Sequence, residues 1–467
     1  MNRPVTSQQQ KTLEMETKSI GRLMWHYFVP SFIGVMVNSL YNIVDRVYIG
    51  QGVGSLALAG LSVVFPIMII GAAFGMMIGI GSGVRVSINL GKKDFSRAEQ
   101  VLGNGFTLMI LVSVLYTIAG YALKDPLLRW FGATGATYDF AQEYLDIILA
   151  GGLFQTVGFS LNNIIRAEGN ARIAMYSMLL SAGVNIVLDP ILIFGFGMGV
   201  AGAAWATLIS MAALDVWVLN HFLRSRKSVI KLRLPAMRLD WRIVKYIIAI
   251  GISPFSMQVA SSAVQAILNT RLITYGGDLA VSAIGIINSI SMLVVMSVVS
   301  ITMAAQPIIG YNYGALQFGR VKETLKLSML SATLVSVFTW AIIMSFPDFI
   351  VKLFNTSDPE LLAIGVHGLR IFLFMLPIVG FQIVAGNYFQ AVGKASTSLF
   401  LTLLRQVLAL IPLLLILPTF FGLEGVWGAM PLADIFSACV VTFFLTREWK
   451  QLSRKELAVM ESSVIFP

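Results

Sequence analysis

The stretch LALAGLSVVFPIMIIGAAFGMMIGIG, residues 56–81, decides the fold. It holds no Asp, Glu, Lys or Arg. It is longer than the roughly 20 apolar residues a helix needs to cross about 30 Å of hydrocarbon. Apolar blocks of similar character recur at 98–122 and 398–419. Composition agrees: 57% of the 467 residues are hydrophobic and 12% are charged, against about 25% charged in soluble domains. So few charges cannot build a water-facing surface for a chain of this length. In lipid the backbone must satisfy its own hydrogen bonds, so a helical bundle is expected.

Working outward from that block, the hydropathy pattern divides the chain into twelve spans: 24–49, 56–90, 98–122, 138–165, 173–195, 200–222, 246–275, 279–310, 323–346, 360–389, 398–419 and 426–446. The expected fold class is an all-α membrane protein with two pseudo-symmetric six-helix lobes. Residues 1–222 form the N-lobe, 223–245 a linker, 246–446 the C-lobe and 447–467 a tail. The linker carries eight basic residues from Arg224 to Lys245 against one acid, Asp240. Residues 1–22 are polar and contain no short apolar core before a small-residue site, so no cleaved leader is expected.

The net charge of +10 belongs to orientation rather than to nucleic acid, because the basic residues lie in loops. Lys92, Lys93, Arg97, Arg166, Arg172, the linker, Arg320, Lys322, Lys394, Arg447, Lys450, Arg454 and Lys455 fall on one side. The other side offers mainly Lys124, Arg129 and Lys352. Basic loops stay cytoplasmic, so both termini are expected there, in a cytoplasmic membrane. The single Cys439 rules out an internal disulfide framework and a cysteine-based metal site.

The halves repeat. Pro30 matches Pro254, Gly54 matches Gly277, Gly91 matches Gly314, Arg97 matches Arg320, Gly169 matches Gly393 and Ala171 matches Ala395. Late in each half, Gly199-Val200 aligns with Gly425-Val426 and Gly202-Ala203 with Gly428-Ala429. A parallel repeat of six spans places the symmetry axis along the membrane normal and a substrate site near mid-membrane.

Two acids interrupt apolar spans. Asp45 lies in Asn42-Ile43-Val44-Asp45-Arg46, and Asp189 in Asn185-Ile186-Val187-Leu188-Asp189-Pro190. Asn185 and Asp189, four apart, share a helix face. Carboxylates in hydrocarbon are costly and usually mark an ion or proton path. Desolvation and a second carboxylate both favour the protonated form of such a group, and the same oxygens also suit Na⁺. The competing reading is that Asp45 pairs with Arg46, although adjacent helical residues point about 100° apart. The C-terminal half does not repeat these acids: Leu268 falls opposite Asp45 and Leu415 opposite Asp189.

Other features carry paired readings. Gly71, Gly75, Gly79 and Gly83 form a ladder that fits close helix packing better than a hinge. Asp146 and Arg370 occupy equivalent outer positions and suggest a gate pair, beside the alternative of two separately solvated charges. Among the polar residues of spans seven to ten, Gln265, Asn269 and Asn288 are candidates for a substrate cleft. The 22 methionines suit either an adaptable wall or ordinary membrane packing. His26 and His221 read as interfacial, and His367 as an outer group able to titrate. Gly393-Lys394-Ala395 fails as a phosphate-binding loop for want of the first glycine and the hydroxyl. Asn355-Thr356-Ser357 fits a glycosylation triplet, and Ser357-Asp358-Pro359-Glu360 an N-terminal cap of span ten.

At these residues the chain resembles the multidrug and toxic-compound extrusion (MATE) transporters over essentially its whole length. The matching segments are Asn42-Ile43-Val44-Asp45-Arg46-Val47-Tyr48-Ile49-Gly50, Ala167-Glu168-Gly169-Asn170, Asn185 to Pro190, Gly199 to Thr207, and Gln390-Ala391-Val392-Gly393-Lys394-Ala395. The resemblance implies export of amphipathic, often cationic drugs by alternating access, in exchange for H⁺ or Na⁺ and with no other cofactor. In the bacterial and archaeal branch it implies an N-lobe site on Asp45, Asn185, Asp189 and Thr207. Other branches place a coupling acid in the seventh span, where this chain has Gln265 and Asn269. The substrate is expected to be a small organic cation, with no nucleic-acid partner and a monomeric working unit. The rival reading is a flippase for a lipid-linked saccharide on a related fold, which would want clustered arginines. A channel or receptor fits the duplicated halves and paired acids less well, and no nucleophile–base or metal set supports an enzyme.

Overall fold

The computed structural model describes residues 14–354 and 358–465. Among them, eight helices are long and apolar enough to cross a membrane, and two further spans are bent pairs of shorter helices. Two of the eight, Trp241–Gly314 and Ala395–Glu461, each break at one glycine and supply two spans. The twelve expected spans are therefore all present. The first is Ile20–Gly52, the second Ser55–Gly91 and the third Phe95–Ala122. The fourth joins Tyr138–Ala150 to Gly152–Ala167 with a bend of 56°, and the tenth joins Pro359–Phe372 to Leu376–Ala391 with one of 48°. The fifth and sixth are Ala171–Pro190 and Gly199–Leu223, and the ninth is Phe318–Ser345.

Left-handed backbone marks the repeat more cleanly than residue identity does. Gly54 and Gly277 have φ of 115° and 67°, Lys93 and Leu316 both 60°, Gly169 and Gly393 98° and 79°, and Gly199 and Gly422 55° and 58°. Each pair lies 223 or 224 apart. The last pair shifts the late part of the alignment by one turn. A methyl on Gly202 would meet Leu192 backbone at 2.9 Å, and one on Gly425 would meet Leu417 backbone at 2.5 Å, whereas Gly428 has open space. Gly425 is thus the counterpart of Gly202, because both allow the last span of a half to lie against the preceding one. The sequence alignment of Gly202 with Gly428 is corrected accordingly.

By packing, the chain forms two units. One comprises Val29–Phe255 with the segment up to Lys18, and the other Ser19–Phe28 with Ser256 onward. Membership changes inside the first and seventh spans, beside Pro30 and Pro254, where a missing N–H and a bulky ring interrupt the helix ladder. In the first unit the glycine ladder is a packing face. Ser160 donates to the Gly75 carbonyl at 2.8 Å, and a methyl on Gly79 would stand 2.7 Å from the Ser160 Cα. Gly81 and Gly251 approach closer still: added methyls would lie 2.1 Å from the Ile247 oxygen and 1.9 Å from the Met77 oxygen.

The basic linker is ordered. Asn104 donates to the Ala236 carbonyl and accepts from the Asp240 amide, and Glu99 accepts from the Lys231 amide and pairs with Arg233. The buried Glu168 accepts from Ser228 and the amides of Val229 and Ile230, and also binds His221. His221 is 3% exposed. Its expected interfacial placement is corrected: the 167–170 turn supplies a carboxylate that draws the ring inward. Asn355-Thr356-Ser357 lies outside the described residues. Span ten is capped by Asp358, which accepts from the amides of Glu360 and Leu361.

Candidate functional site

The first unit brings Asp45, Asn185, Asp189 and Thr207 together. All four are buried, Asn185 and Asp189 completely. Pro190 ends the regular ladder of span five, and Ile191–Gly195 continues as a π-helical turn. Such turns arise where the i→i−4 pattern is interrupted, and they often accompany functional sites. Asn185 Nδ2 donates to Asp189 Oδ1 at 3.3 Å and to Thr207 Oγ1 at 3.4 Å, joining spans five and six. The carboxylate of Asp45, from span one, stands within hydrogen-bonding reach of that of Asp189.

Two ionised carboxylates have no proton to donate to each other, so this approach requires a shared proton or a cation. Asp45 Oδ1, Asn185 Oδ1 and Asp189 Oδ2 are buried with no hydrogen-bond partner among the described residues. Three orphaned oxygens beside the Thr207 hydroxyl form a donor set suited to a hard monovalent cation, or to protons on the two acids. Arg46 does not take the acid. Its guanidinium lies 4.9 Å from the Phe65 ring centroid, and no ion pair joins it to Asp45 among the described residues. Asp45 opens onto a small cavity of about 40 Å³ shared with Asn42, Ser62 and Tyr144.

Two residues of this centre were missed in the sequence. Tyr144 lies close to Thr207 and to both acids, and Tyr41 likewise lies close to both acids. Tyr41 is one helical turn from Asp45, which is a usable signal. Tyr144 is reachable only through the fold of span four. A third acid, Asp215 of span six, is 4% exposed with Oδ1 unpartnered. A methyl on Gly158 would come within 2.2 Å of that oxygen. An ionisable residue inside an apolar span was the signal available there.

In the second unit, Gln265, Asn269 and Asn288 form one chain: Asn288 Nδ2 donates to Gln265 Oε1 at 3.3 Å, and Gln265 Nε2 to Asn269 Oδ1 at 3.0 Å. Gln265 and Asn288 line a cavity of about 180 Å³. It also contains a charge pair that hydropathy averaging hides, Arg405 in the block 398–419 and Asp434 in span twelve, joined at 2.7 Å. The proposed gate residues lie in different units. Asp146 accepts from Lys124 at 2.9 and 3.1 Å. Exposed His367 pairs with Glu424 at 2.7 Å.

Duplicated six-span halves with an acid-bearing polar centre in one of them define a class of polytopic helical membrane transporters. A family model described as MatE matches residues 30–191 and again 254–415, starting at Pro30 and at Pro254. The chain is 27% identical to the multidrug export protein MepA of Staphylococcus haemolyticus over 96% of its own length and 98% of that protein's. It is likewise 27% identical to MepA of Staphylococcus aureus over 95% and 97%. Among solved structures, an outward-facing multidrug resistance MATE transporter superimposes with a TM-score of 0.88 at 26% identity, over 95% and 98% of the two chains. The MATE multidrug transporter DinF-BH gives 0.86 at 39% identity, over 92% and 96%. This chain belongs to the MATE family. Its members are membrane transporters and not enzymes.

Proposed function

We propose that the chain is a multidrug efflux antiporter of a bacterial or archaeal cytoplasmic membrane, exporting amphipathic organic cations in exchange for H⁺ or Na⁺. The observation that carries this reading is the buried approach of Asp45 to Asp189 with three orphaned oxygens around it. The bilayer penalises that arrangement unless a cation or proton completes it. Asn185 and Thr207 supply the remaining contacts. Cation and drug then couple by stabilising different conformational states of the protein. The names of the relatives, which export multiple drugs, support the substrate class. The polar chain of Gln265, Asn269 and Asn288 serves the substrate.

The test is transport by purified protein in liposomes, with pH and Na⁺ gradients imposed separately and efflux of a fluorescent organic cation followed. Efflux driven by one gradient and lost in Asp189→Asn is the expected result. Equal efflux with neither gradient would sink the antiport reading. We propose Asp146 and Arg370 as outer gate residues, Asp146 being held by Lys124 within the first unit. The swapped pair Asp146→Arg with Arg370→Asp should recover transport lost in each single variant, and normal transport in both singles would remove the gate. The saccharide-flippase reading is disfavoured because the cavity of the second unit is lined by one arginine, Arg405, and not by a cluster of them.

A further inference from the structure

The linker between the halves belongs to the first unit. Its short helical turn, Leu234–Met237, lies along the side of span three rather than beyond its end. Asn104 donates to the Ala236 carbonyl at 3.1 Å, and Thr107 Oγ1 to the Met237 carbonyl at 2.8 Å. A methyl on Gly103 would stand 2.3 Å from the Ala236 oxygen. Residues 100–123 of span three carry no Asp, Glu, Lys or Arg. At about 1.5 Å of rise per residue, positions 103–107 lie roughly 5–10 Å inside the start of that stretch. Amphipathic segments bind at this depth, where headgroups give way to acyl chains.

Large apolar side chains on this segment face outward. Leu234 is 80% exposed and Trp241 73%, with Leu239 half-exposed between them. Exposed cations alternate with them: Arg233, Arg238, Arg242 and Lys245. Arg233 answers Glu99. The one acid of the linker, Asp240, accepts from the Arg242 amide at the start of span seven. Among the described residues, Arg238, Arg242 and Lys245 make no ion pair. Three cations thus stand without a counter-charge beside an apolar fringe at interfacial depth. A guanidinium fork matches the oxygens of a phosphate, and tryptophan favours the headgroup level. A zwitterionic headgroup brings its own cation and would leave the three charges uncompensated. An anionic phospholipid supplies both a net negative charge and the acyl chains.

We propose that the linker is a docking surface for anionic phospholipid. Arg238, Arg242 and Lys245 hold the headgroup phosphates, and Leu234, Leu239 and Trp241 lie against the first carbons of the acyl chains. The linker is tied through Glu168 to the turn between spans four and five. Lipid held there braces the half that carries Asp45 and Asp189. The inference uses the membrane class alone and is independent of which ion or drug is carried.

Fluorescence of Trp241 in the full chain tests it, read as the difference between the natural chain and Trp241→Phe in phosphatidylcholine nanodiscs. A small, equal fraction of the lipid is replaced by phosphatidylglycerol or by phosphatidylcholine, each with dibrominated, quenching acyl chains. The brominated phosphatidylglycerol should quench Trp241 at least about twofold more than the brominated phosphatidylcholine, and soluble acrylamide should quench it weakly. The triple variant Arg238→Gln, Arg242→Gln, Lys245→Gln should remain quenched by both lipids and lose the preference. If that variant does not insert, the natural chain at high salt decides, because screening removes the preference while the depth of Trp241 stays. Asp189→Asn should keep the preference. Equal quenching by the two lipids in the natural chain, or a preference unchanged by high salt and by the triple variant, overturns the proposal. Trp241 reached by acrylamide and by neither lipid would place the linker in water and overturn it too. Protection from all three quenchers would mean that a second copy of the chain covers the surface in place of lipid.

Discussion

At the scale of single residues, the N-terminal centre is defined by what its oxygens lack. Asp45 and Asp189 come from spans one and five and meet without a donor between them. On the antiporter reading proposed above, the two share a proton or a cation and work as one unit. Asp45→Asn and Asp189→Asn should each lower gradient-driven export at least about tenfold while the protein still inserts and elutes normally. The double variant should be little worse than either single, since residues acting on one step are not additive. Full gradient-driven export in Asp189→Asn would place the coupling site elsewhere. Of this centre, the acids, Asn185 and Thr207 were accessible from sequence and family resemblance. Tyr144 was not, because a tyrosine in an apolar span carries no local mark of what it touches. Arg405 and Asp434 were passed over for the opposite reason: each is a single charge inside a long apolar window.

At the scale of elements, glycines set the helix separations. Gly251 lies against the Met77 carbonyl so closely that a methyl would sit 1.9 Å away, and backbone cannot step aside as a side-chain tip can. Gly251→Ala should therefore destabilise the protein by about 1–3 kcal/mol, read as a lower thermal midpoint. Gly428→Ala, with nothing nearby, should leave the midpoint unchanged. Equal midpoints for the two variants would contradict the packing account. The linker behaves as an element too. Glu168 gathers Ser228, Val229, Ile230 and His221. Glu168→Gln weakens those contacts and should speed tryptic cleavage at the basic residues between 224 and 245 by several-fold, since cleavage follows local opening. An unchanged digestion rate would mean that the contacts through Glu99 and Asn104 hold the linker alone.

At the scale of the molecule, the orientation we propose rests on charge rather than on packing. The basic residues beside both termini and the linker support the proposal that these segments face the cytoplasm. Position 228, a natural choice for labelling, is buried in the Glu168 cluster. Exposed Arg224 and Phe354 serve better. In a Cys439→Ala background, Arg224→Cys should resist an impermeant thiol reagent added to intact cells, and Phe354→Cys should react. Labelling of Arg224→Cys from outside would invert the topology. The sequence alone determined the membrane class, the twelve spans, the duplication and the two acids in hydrocarbon, because span length, charge placement and repeated glycines are local properties that bilayer thickness enforces. Only the tertiary structure decided which polar groups converge: Asp45 on Asp189, Tyr144 on Thr207, Arg405 on Asp434, and Gly425 rather than Gly428 as the partner of Gly202. Convergence depends on how each helix is rotated and how closely it approaches its neighbours. Proline breaks, π-helical turns and glycine contacts between distant segments fix that rotation, and no window of the chain contains it.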